Sequence, residues 1–156
     1  MTEVNKDYLD SFAQKYYLSD EVYDIDVENT MQDESISQII KKMGEPNKIL
    51  EMGVGVGTML KNLYEQEIFI DIVEGSEILI KNFEKKYPQT KFFHTLFEDF
   101  KPDYKYDCIF AFHVFEHVEN PEKLIKIVEN WLEPDGKLII IVPNKNSYHR
   151  ILGVTM

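Results

Sequence analysis

The sequence of 156 residues contains 44% hydrophobic and 29% charged residues, and its formal net charge is −11 at pH 7. This length is enough for one domain, and the negative charge argues against binding to nucleic acid or to anionic membranes, which needs clustered lysine and arginine. We expect a cytoplasmic protein, because no apolar run approaches the roughly 20 residues of a membrane span, the N-terminal residues show no secretory pattern, and the single cysteine suits a reducing compartment.

The first 45 residues are predicted to form a helical segment that precedes the rest of the domain. Aromatic and apolar side chains recur at helical spacing within residues 3–17. An acidic, irregular stretch over residues 20–34 indicates a solvated loop. Apolar residues between Ile36 and Met43 then mark one face of a second helix, which Gly44 ends.

From residue 48 onward, short apolar runs alternate with amphipathic helical patterns. The runs ILEM, IFIDIV and KLIIIV are nearly continuous, which is typical of strands buried on both faces. We therefore predict an α/β fold with a doubly wound, mostly parallel sheet and helices on both faces. The predicted strands are Lys48–Met52, Ile68–Val73, Lys91–Thr95, Tyr106–Phe112 and Lys137–Val142, and the predicted helices are Thr58–Tyr64, Glu77–Tyr87 and Glu122–Leu132.

Capping and turn residues support these boundaries. Asn120 followed by Pro121 is a favourable N-cap and first helical residue. Pro88 is predicted to end the preceding helix. The residues Pro134, Asp135 and Gly136 predict a turn into the last strand.

Three glycines, Gly53, Gly55 and Gly57, follow the first predicted strand at alternate positions. Ligands of doubly wound sheets bind beyond the carboxyl ends of the strands, and glycine there permits a positive φ and a close approach to the backbone. A dinucleotide fingerprint needs its third glycine at residue 58, where Thr58 stands, and the sequence that a phosphate-binding loop needs is also absent. The loop therefore does not match either phosphate-binding pattern.

Two carboxylates flank this loop and indicate a different ligand. Glu51 lies two residues before Gly53, where it would repel a pyrophosphate and attract an ammonium or sulfonium group. Glu74 ends the second predicted strand, where it is placed to accept hydrogen bonds from a ribose diol. Together they favour a nucleoside ligand with a cationic reactive end over a glycine-rich turn that binds nothing.

Five segments taken together resemble the class I S-adenosylmethionine-dependent methyltransferases. The resemblance covers about residues 36–150. The segments are ILEMGVGVG for the first motif, IDIVEGS for the acidic second motif, FFHTLFEDF after the third strand, YDCIFAFHVFEHV around the fourth strand and LEPDGKLIIIVPN around the fifth.

This resemblance implies a Rossmann-like methyltransferase fold that binds S-adenosyl-L-methionine and releases S-adenosyl-L-homocysteine. The acceptor of the methyl group would be a small molecule, such as a sugar or another metabolite. The first-strand acid and the glycines would surround the methionyl part, Glu74 would bind the ribose, and the segment after Thr95 would border the adenine. The implied cofactor-binding residues are Glu51, Gly53, Gly55, Gly57, Glu74, Gly75, Leu96, Phe97, Glu98, Phe112 and His113.

His113 is the candidate catalytic residue, because a hydroxyl acceptor benefits from a general base near neutral pH. A second interpretation makes Glu116 and His117 a structural junction beyond the fourth strand, with His113 lining the cofactor site. A third compares H-x-x-E-H with the E-x-x-E-H metal cluster of some family members. We favour the structural junction and expect no metal.

The family's sheet normally has two further strands after the fifth, which this sequence lacks. We therefore expect a single, C-terminally truncated domain over residues 1–156, with residues 46–156 as its cofactor-binding core. The alternative is a partner, such as a second copy of the chain, that covers the fifth strand. Two other functions stay open, a noncatalytic nucleoside-binding or interaction module and a nicotinamide oxidoreductase, although Thr58 and Glu51 argue against the latter.

Overall fold

The computed structural model of the protein describes residues 6–18, 36, 39–40 and 44–143. Within these residues, five parallel strands form a sheet on which helices pack. The strands are β1 (Ile49–Met52), β2 (Asp71–Glu74), β3 (Lys91–His94), β4 (Tyr106–Phe112) and β5 (Leu132–Ile141). The helices are α1 (Lys6–Tyr16), α2 (Thr58–Glu65), α3 (Glu77–Phe83) and α4 (Pro121–Glu129), and short 3-10 turns cover Phe97–Asp99 and Phe115–His117.

The strand order is β3-β2-β1-β4-β5, and every neighbouring pair is parallel. The chain moves outward from β1 to β3, crosses back over β1 and moves outward again through β4 and β5. The order reverses between β1 and β4, which is where an open α/β sheet forms its ligand crevice. This topology confirms the predicted doubly wound parallel sheet.

Side chains of the central strands alternate between two apolar clusters, one on each face of the sheet. Ile49 and Phe110 belong to the cluster that contains Leu63 of α2. Leu50 belongs to the other cluster, which contains Leu124 of α4. Helices therefore cover both faces of the central strands, as the apolar runs predicted.

Capping side chains explain where two helices begin. Ser76 is the N-cap of α3, and its hydroxyl accepts a hydrogen bond of 3.3 Å from the Leu79 amide. Asn120 is the N-cap of α4 and accepts a hydrogen bond of 2.9 Å from the Lys123 amide, with Pro121 next in the chain. The predicted cap at Asn120 is confirmed.

The helix predicted over residues 77–87 is too long. α3 ends at Phe83, and tighter turns carry the chain onward, with the amides of Lys86 and Tyr87 both donating to the Phe83 carbonyl. Pro88 disfavours helical dihedrals at Tyr87, the residue before it, which keeps the last predicted residue out of the helix. The described residues show no local cause for the earlier change from α-helix to tighter turns after Phe83.

The second predicted strand also begins too early. β2 starts at Asp71, and the Ile68 amide instead donates to the Leu63 carbonyl and closes the end of α2. The first residue of β2 pairs with Leu50 of β1, which itself begins only at Ile49. In this register Ile68 and Phe69 lie beyond the first residue of β1 and have no residue of that strand opposite them.

β5 begins earlier than predicted and contains a bulge. Pairing advances from Leu132 to Lys137 on β5 while β4 advances only from Tyr106 to Cys108. Residues 133–136 thus lie opposite the single residue Asp107, so β5 carries three extra residues in a bulge that interrupts the ladder. The predicted turn at these positions is a bulge within β5, and the predicted helix end at Leu132 is wrong.

β5 lies at an edge of the described sheet, as expected. Its predicted burial on both faces is wrong, because Ile140 is 38% exposed and Val142, just beyond the strand, is 49% exposed. Within the described part of the chain, no helix follows β5 to cover this side.

The N-terminal helix predicted from aromatic spacing is confirmed by α1. Ile36, Ile39 and Ile40 are helical, and Ile36 is buried, which agrees with the second predicted helix. The rest of that helix, the predicted acidic loop and the residues after 143 lie outside the described residues. None of the helices described here is long and apolar enough to cross a membrane.

Candidate functional site

The loop that follows β1 has a left-handed backbone at each of its three glycines. The φ angle is +73° at Gly53, +49° at Gly55 and +82° at Gly57. Side chains of L-residues are strained in this region of φ, so the loop needs glycine at these positions. The loop lies beside the reversal of strand order, where a ligand crevice is expected.

Most of the amide groups of this loop are already used by the protein. The Gly53 amide donates to the Val73 carbonyl at 2.9 Å, and the Gly57 amide donates to the Val54 carbonyl at 2.8 Å. The Val54 amide donates to Oε2 of Glu74 at 3.0 Å. A phosphate-binding loop instead turns several free amides toward the anion. The geometry therefore agrees with the sequence patterns in arguing against a phosphate cradle.

Gly55 and Gly57 have different surroundings. A Cβ on Gly55 would have no atom within 4 Å, so the space beside this residue is open. A Cβ on Gly57 would lie 2.6 Å from Cε1 of Phe83, which leaves no room for a side chain. The structure thus leaves Gly55 accessible to a ligand. At Gly57, the close packing of Phe83 from α3 explains why a residue without a side chain is needed.

Glu51 is a buried carboxylate without full hydrogen bonding. It is 3% exposed and pairs in register with Ile72 of β2 and Phe110 of β4. Its Oε2 atom has no hydrogen-bond partner among the described residues. Burial, and secondarily the charge of Glu74, raises the pKa of Glu51 well above its ordinary value. A cationic group that reached this carboxylate would relieve the cost of burying its charge.

Glu74 lies at the end of β2, as predicted, and is bonded to the backbone on both sides. Its Oε1 accepts from the Ser76 amide at 2.7 Å, and its Oε2 accepts from the Val54 amide at 3.0 Å. Burial raises the pKa of Glu74, although these hydrogen bonds oppose the rise. The side chain therefore ties the glycine loop to the turn that starts α3.

The segment after β3 brings two of its three predicted residues to the site. Phe97 Cζ lies 3.8 Å from the position of a Cβ on Gly53, and Leu96 Cδ2 lies 3.3 Å from that of a Cβ on Gly75. Glu98 is exposed in the turn that follows.

His113 follows β4 and is one of two described residues other than glycine with a positive φ, which is +53°. A non-glycine residue in this region is uncommon and is often held there at a functional site. Its amide donates to the Ile141 carbonyl at 2.9 Å, and its Nδ1 lies 3.1 Å from Oε1 of Glu116. Phe112 precedes it as the half-buried last residue of β4 and packs against Phe110.

The described residues do not form a metal site. No group of three or more His, Cys, Asp or Glu side chains within them could hold a metal ion. Glu116 is paired with His113, and the ring of His117 packs against Phe12 at 6.4 Å between centroids. The metal interpretation of H-x-x-E-H thus receives no support from this geometry.

α1 also contacts the site, which the sequence did not predict. Asp10 accepts a hydrogen bond of 2.6 Å from the Ser76 hydroxyl, directly after the turn that Glu74 holds. Leu9 packs on Gly75. No local pattern could have revealed these contacts, because they join residues 66 positions apart in the chain.

A family model described as a methyltransferase domain matches residues 23–156. The chain belongs to the methyltransferase family. It has the fold of the class I S-adenosylmethionine-dependent methyltransferases, as the resemblance in its motifs implied.

Curated relatives of this methyltransferase-family chain act on different acceptors according to their names. A malonyl-[acyl-carrier protein] O-methyltransferase 2 of Ilyobacter polytropus is 26% identical over 117 residues, covering 72% of this chain and 45% of the relative. A ubiquinone biosynthesis O-methyltransferase of Rickettsia conorii is 25% identical over 125 residues, covering 78% of this chain and 42% of the relative. The methyltransferase-family chain thus spans less than half the length of these relatives.

Solved methyltransferases share the fold of this family member. The plantazolicin methyltransferase BpumL, in complex with SAH, gives a TM-score of 0.68 at 20% identity, covering 97% of this chain and 65% of that chain. The glycopeptide N-methyltransferase MtfA, complexed with S-adenosyl-L-methionine, gives a TM-score of 0.61 at 16% identity, covering 69% of this chain and 53% of that chain.

Proposed function

We propose that this chain binds S-adenosyl-L-methionine and transfers its methyl group to a small-molecule acceptor. The observation that carries the proposal is the buried Glu51 carboxylate, whose Oε2 has no partner among the described residues and whose strand leads into a loop with an open position at Gly55. S-adenosyl-L-methionine carries an ammonium and a sulfonium group, and either would be attracted to this carboxylate. The solved structures that share this fold include complexes with S-adenosyl-L-methionine and SAH, which supports the same ligand here.

The residues of the site suit the parts of this cofactor. Glu51 and the open space at Gly55 suit the cationic methionyl end, with Gly53 and Gly57 shaping the loop around it. A carboxylate has about four lone-pair positions, so Glu74 can accept from a ribose diol while it keeps its two bonds to backbone amides. In our proposal the adenine lies between the side chains that follow β3 and the turn after β2. The residues assigned to that part are Gly75, Leu96 and Phe97, whereas the exposed Glu98 is assigned only to its rim and Phe112 to the wall below His113.

His113 is assigned the role of general base toward a hydroxyl acceptor. The bound cofactor supplies an activated methyl group, so the protein has mainly to hold the acceptor oxygen in line with the breaking S–C bond. His113 then takes the proton of the hydroxyl as the oxygen forms its bond to the methyl carbon. Because Nδ1 of His113 is hydrogen-bonded to Glu116, Nε2 of His113 is the nitrogen that accepts this proton. The O-methyltransferases among the curated relatives support an oxygen acceptor.

Calorimetry with S-adenosyl-L-methionine, SAH and NAD⁺ tests the binding part of this proposal. We expect both sulfur nucleosides to bind the 156-residue chain and NAD⁺ not to bind, because the loop offers few free amides to a pyrophosphate. Preference for NAD⁺, or binding of none of the three, would contradict the proposal.

A labelled-methyl assay against metabolite extracts then tests transfer. Transfer to a small molecule is the expected result, and parallel reactions with protein extracts examine acceptors carried on a polypeptide. Binding of S-adenosyl-L-methionine without transfer to either extract would favour the alternative of a noncatalytic nucleoside-binding module.

A further inference from the structure

α1 lies across the carboxyl ends of three strands. At its N-terminus, Lys6 Nζ donates to the carbonyl of His94, the last residue of β3, at 3.2 Å. Farther along the helix, the ring of Phe12 packs against His117, beyond β4. Between these two points the helix passes the turn after β2, so it spans the side of the crevice where the second and third strands end.

A hydrogen-bonded carboxylate fixes α1 at this turn. Asp10 Oδ1 accepts from the Ser76 hydroxyl at 2.6 Å and from the Ile78 amide at 3.1 Å. Ser76 is itself the N-cap of α3, so Asp10 adds a second acceptor to the same helix start. Because the amides of Ser76 and Val54 are bonded to Glu74, one network connects α1 to the loop after β1.

The contact between Leu9 and Gly75 places an apolar side chain within this network. A Cβ on Gly75 would clash with Leu9 Cδ1 and would lie 3.3 Å from Leu96 Cδ2. Leu9 and Leu96 therefore approach each other over a residue without a side chain. Gly75 directly follows Glu74, the carboxylate assigned to the ribose.

We propose that Leu9 is a cofactor-binding residue that forms, together with Leu96, the apolar wall against which the adenine packs. This inference rests on the proposed binding of S-adenosyl-L-methionine. A nucleobase is attached to the ribose close to its diol, so a diol bound at Glu74 brings the base to the residues around Gly75. Nucleoside sites are lined mainly by apolar side chains, and Gly75 supplies none. Leu9 provides that surface from a different part of the chain.

The first test compares two neighbouring residues of α1 by calorimetry with SAH. Leu9→Ala is expected to raise the Kd by about tenfold, because an apolar contact of this size contributes on that order to binding. The matched control is Tyr8→Ala, since Tyr8 is 62% exposed and should leave the Kd within about twofold of wild type. Equal Kd values for Leu9→Ala and the wild-type chain would overturn the assignment.

The second test uses the unaltered chain, so it does not depend on the folding of a variant. Leucine methyl groups are labelled with ¹³C, and the Leu9 signals are assigned as those missing from Leu9→Met. We expect nuclear Overhauser contacts between these methyl groups and the H2 or H8 proton of bound SAH. Binding of SAH without such contacts overturns the role of Leu9 alone, whereas failure of the wild-type chain to bind SAH also overturns the proposed function.

Discussion

Gly55 and Gly57 share a left-handed backbone but should respond differently to substitution. Gly57→Ala places a Cβ 2.6 Å from Phe83 in a residue that already has a positive φ. We expect this change to lower the free energy of unfolding by about 1–3 kcal/mol, since overpacking and backbone strain act together. Gly55→Arg projects into open space and should abolish binding of S-adenosyl-L-methionine, with a smaller loss of stability from its backbone strain alone.

Urea unfolding and calorimetry on both variants separate the two effects. Gly55→Ala serves as the control for backbone strain, because alanine at residue 55 must adopt the same positive φ as arginine but adds little volume. Intact cofactor affinity in Gly55→Arg would remove the glycine loop from the proposed site. An unchanged unfolding free energy in Gly57→Ala would show that Phe83 can move aside.

His113 should affect transfer far more than cofactor binding. If it is the general base, His113→Asn should lower kcat by roughly 10²–10⁴-fold while the Kd for S-adenosyl-L-methionine changes little. The assay uses an acceptor identified by labelled-methyl transfer, and His117→Asn is the matched control, because His117 packs against Phe12. Equal kcat values for His113→Asn and wild type would show that His113 is not the general base and only lines the cofactor site.

At the residue scale, the sequence predicted groups that are close together in the chain. Glu51 and the glycines belong to one strand and its loop, so the predicted parallel sheet was enough to bring them to one end. The contact of Leu9 with Gly75 could not be predicted, because helical periodicity indicates which face of α1 is apolar but not what it packs on. The hydrogen bond that the Val54 amide of the glycine loop donates to Glu74 was missed for a related reason, since it depends on side-chain orientation.

At the scale of whole elements, the central strands were predicted best. β4 matches its predicted bounds and β1 begins one residue later than predicted, because both lie between two other strands and each contains only one charged residue. The bounds of β2 and β5 were predicted less well. Apolar residues before β2 end α2 instead of pairing, and proline and glycine in β5 mark a bulge that resembles a turn in sequence. Pairing partners decide such boundaries, and a single sequence does not contain them.

For the whole molecule, the buried acids should make stability fall as the pH rises. The folded protein raises the pKa of Glu51 through burial, so it holds that proton more tightly than the unfolded chain does. Above the ordinary pKa of 4.5, the free energy of unfolding therefore decreases with increasing pH. The pKa of Glu74 is raised as well and adds to the same trend.

Glu51→Gln should remove the part of this trend that comes from Glu51. We expect the variant to melt at a higher temperature than wild type at pH 7.5, by a few degrees for each kcal/mol gained in a domain of this size. The difference should shrink toward pH 4.5, where Glu51 is increasingly protonated in both the folded and the unfolded wild-type chain. The same variant should lose affinity for S-adenosyl-L-methionine. A melting temperature at pH 7.5 equal to or below that of wild type would argue that Glu51 is not strained by burial.

Asp10 contributes to the pH dependence with the opposite sign. Although partial burial acts to raise its pKa, the hydrogen bonds from Ser76 and Ile78 outweigh this effect, and the pKa is lowered. Its stabilisation is thus present above its ordinary pKa and is lost as the pH falls through the lowered value. Because Asp10 is the same in wild type and Glu51→Gln, the comparison of the two isolates Glu51.

The distance in sequence between Asp10 and Ser76 also sets an order of events during protein synthesis. α1 leaves the ribosome before the residues that it contacts. Ser76, which binds Asp10, follows that residue by 66 positions, and His94 at the end of β3, which binds Lys6, comes later still. The newly synthesised α1 therefore cannot make all of these contacts until three strands have been translated. A chain that stops before residue 94 therefore lacks the strand end to which Lys6 binds, and its α1 cannot adopt the packing described above.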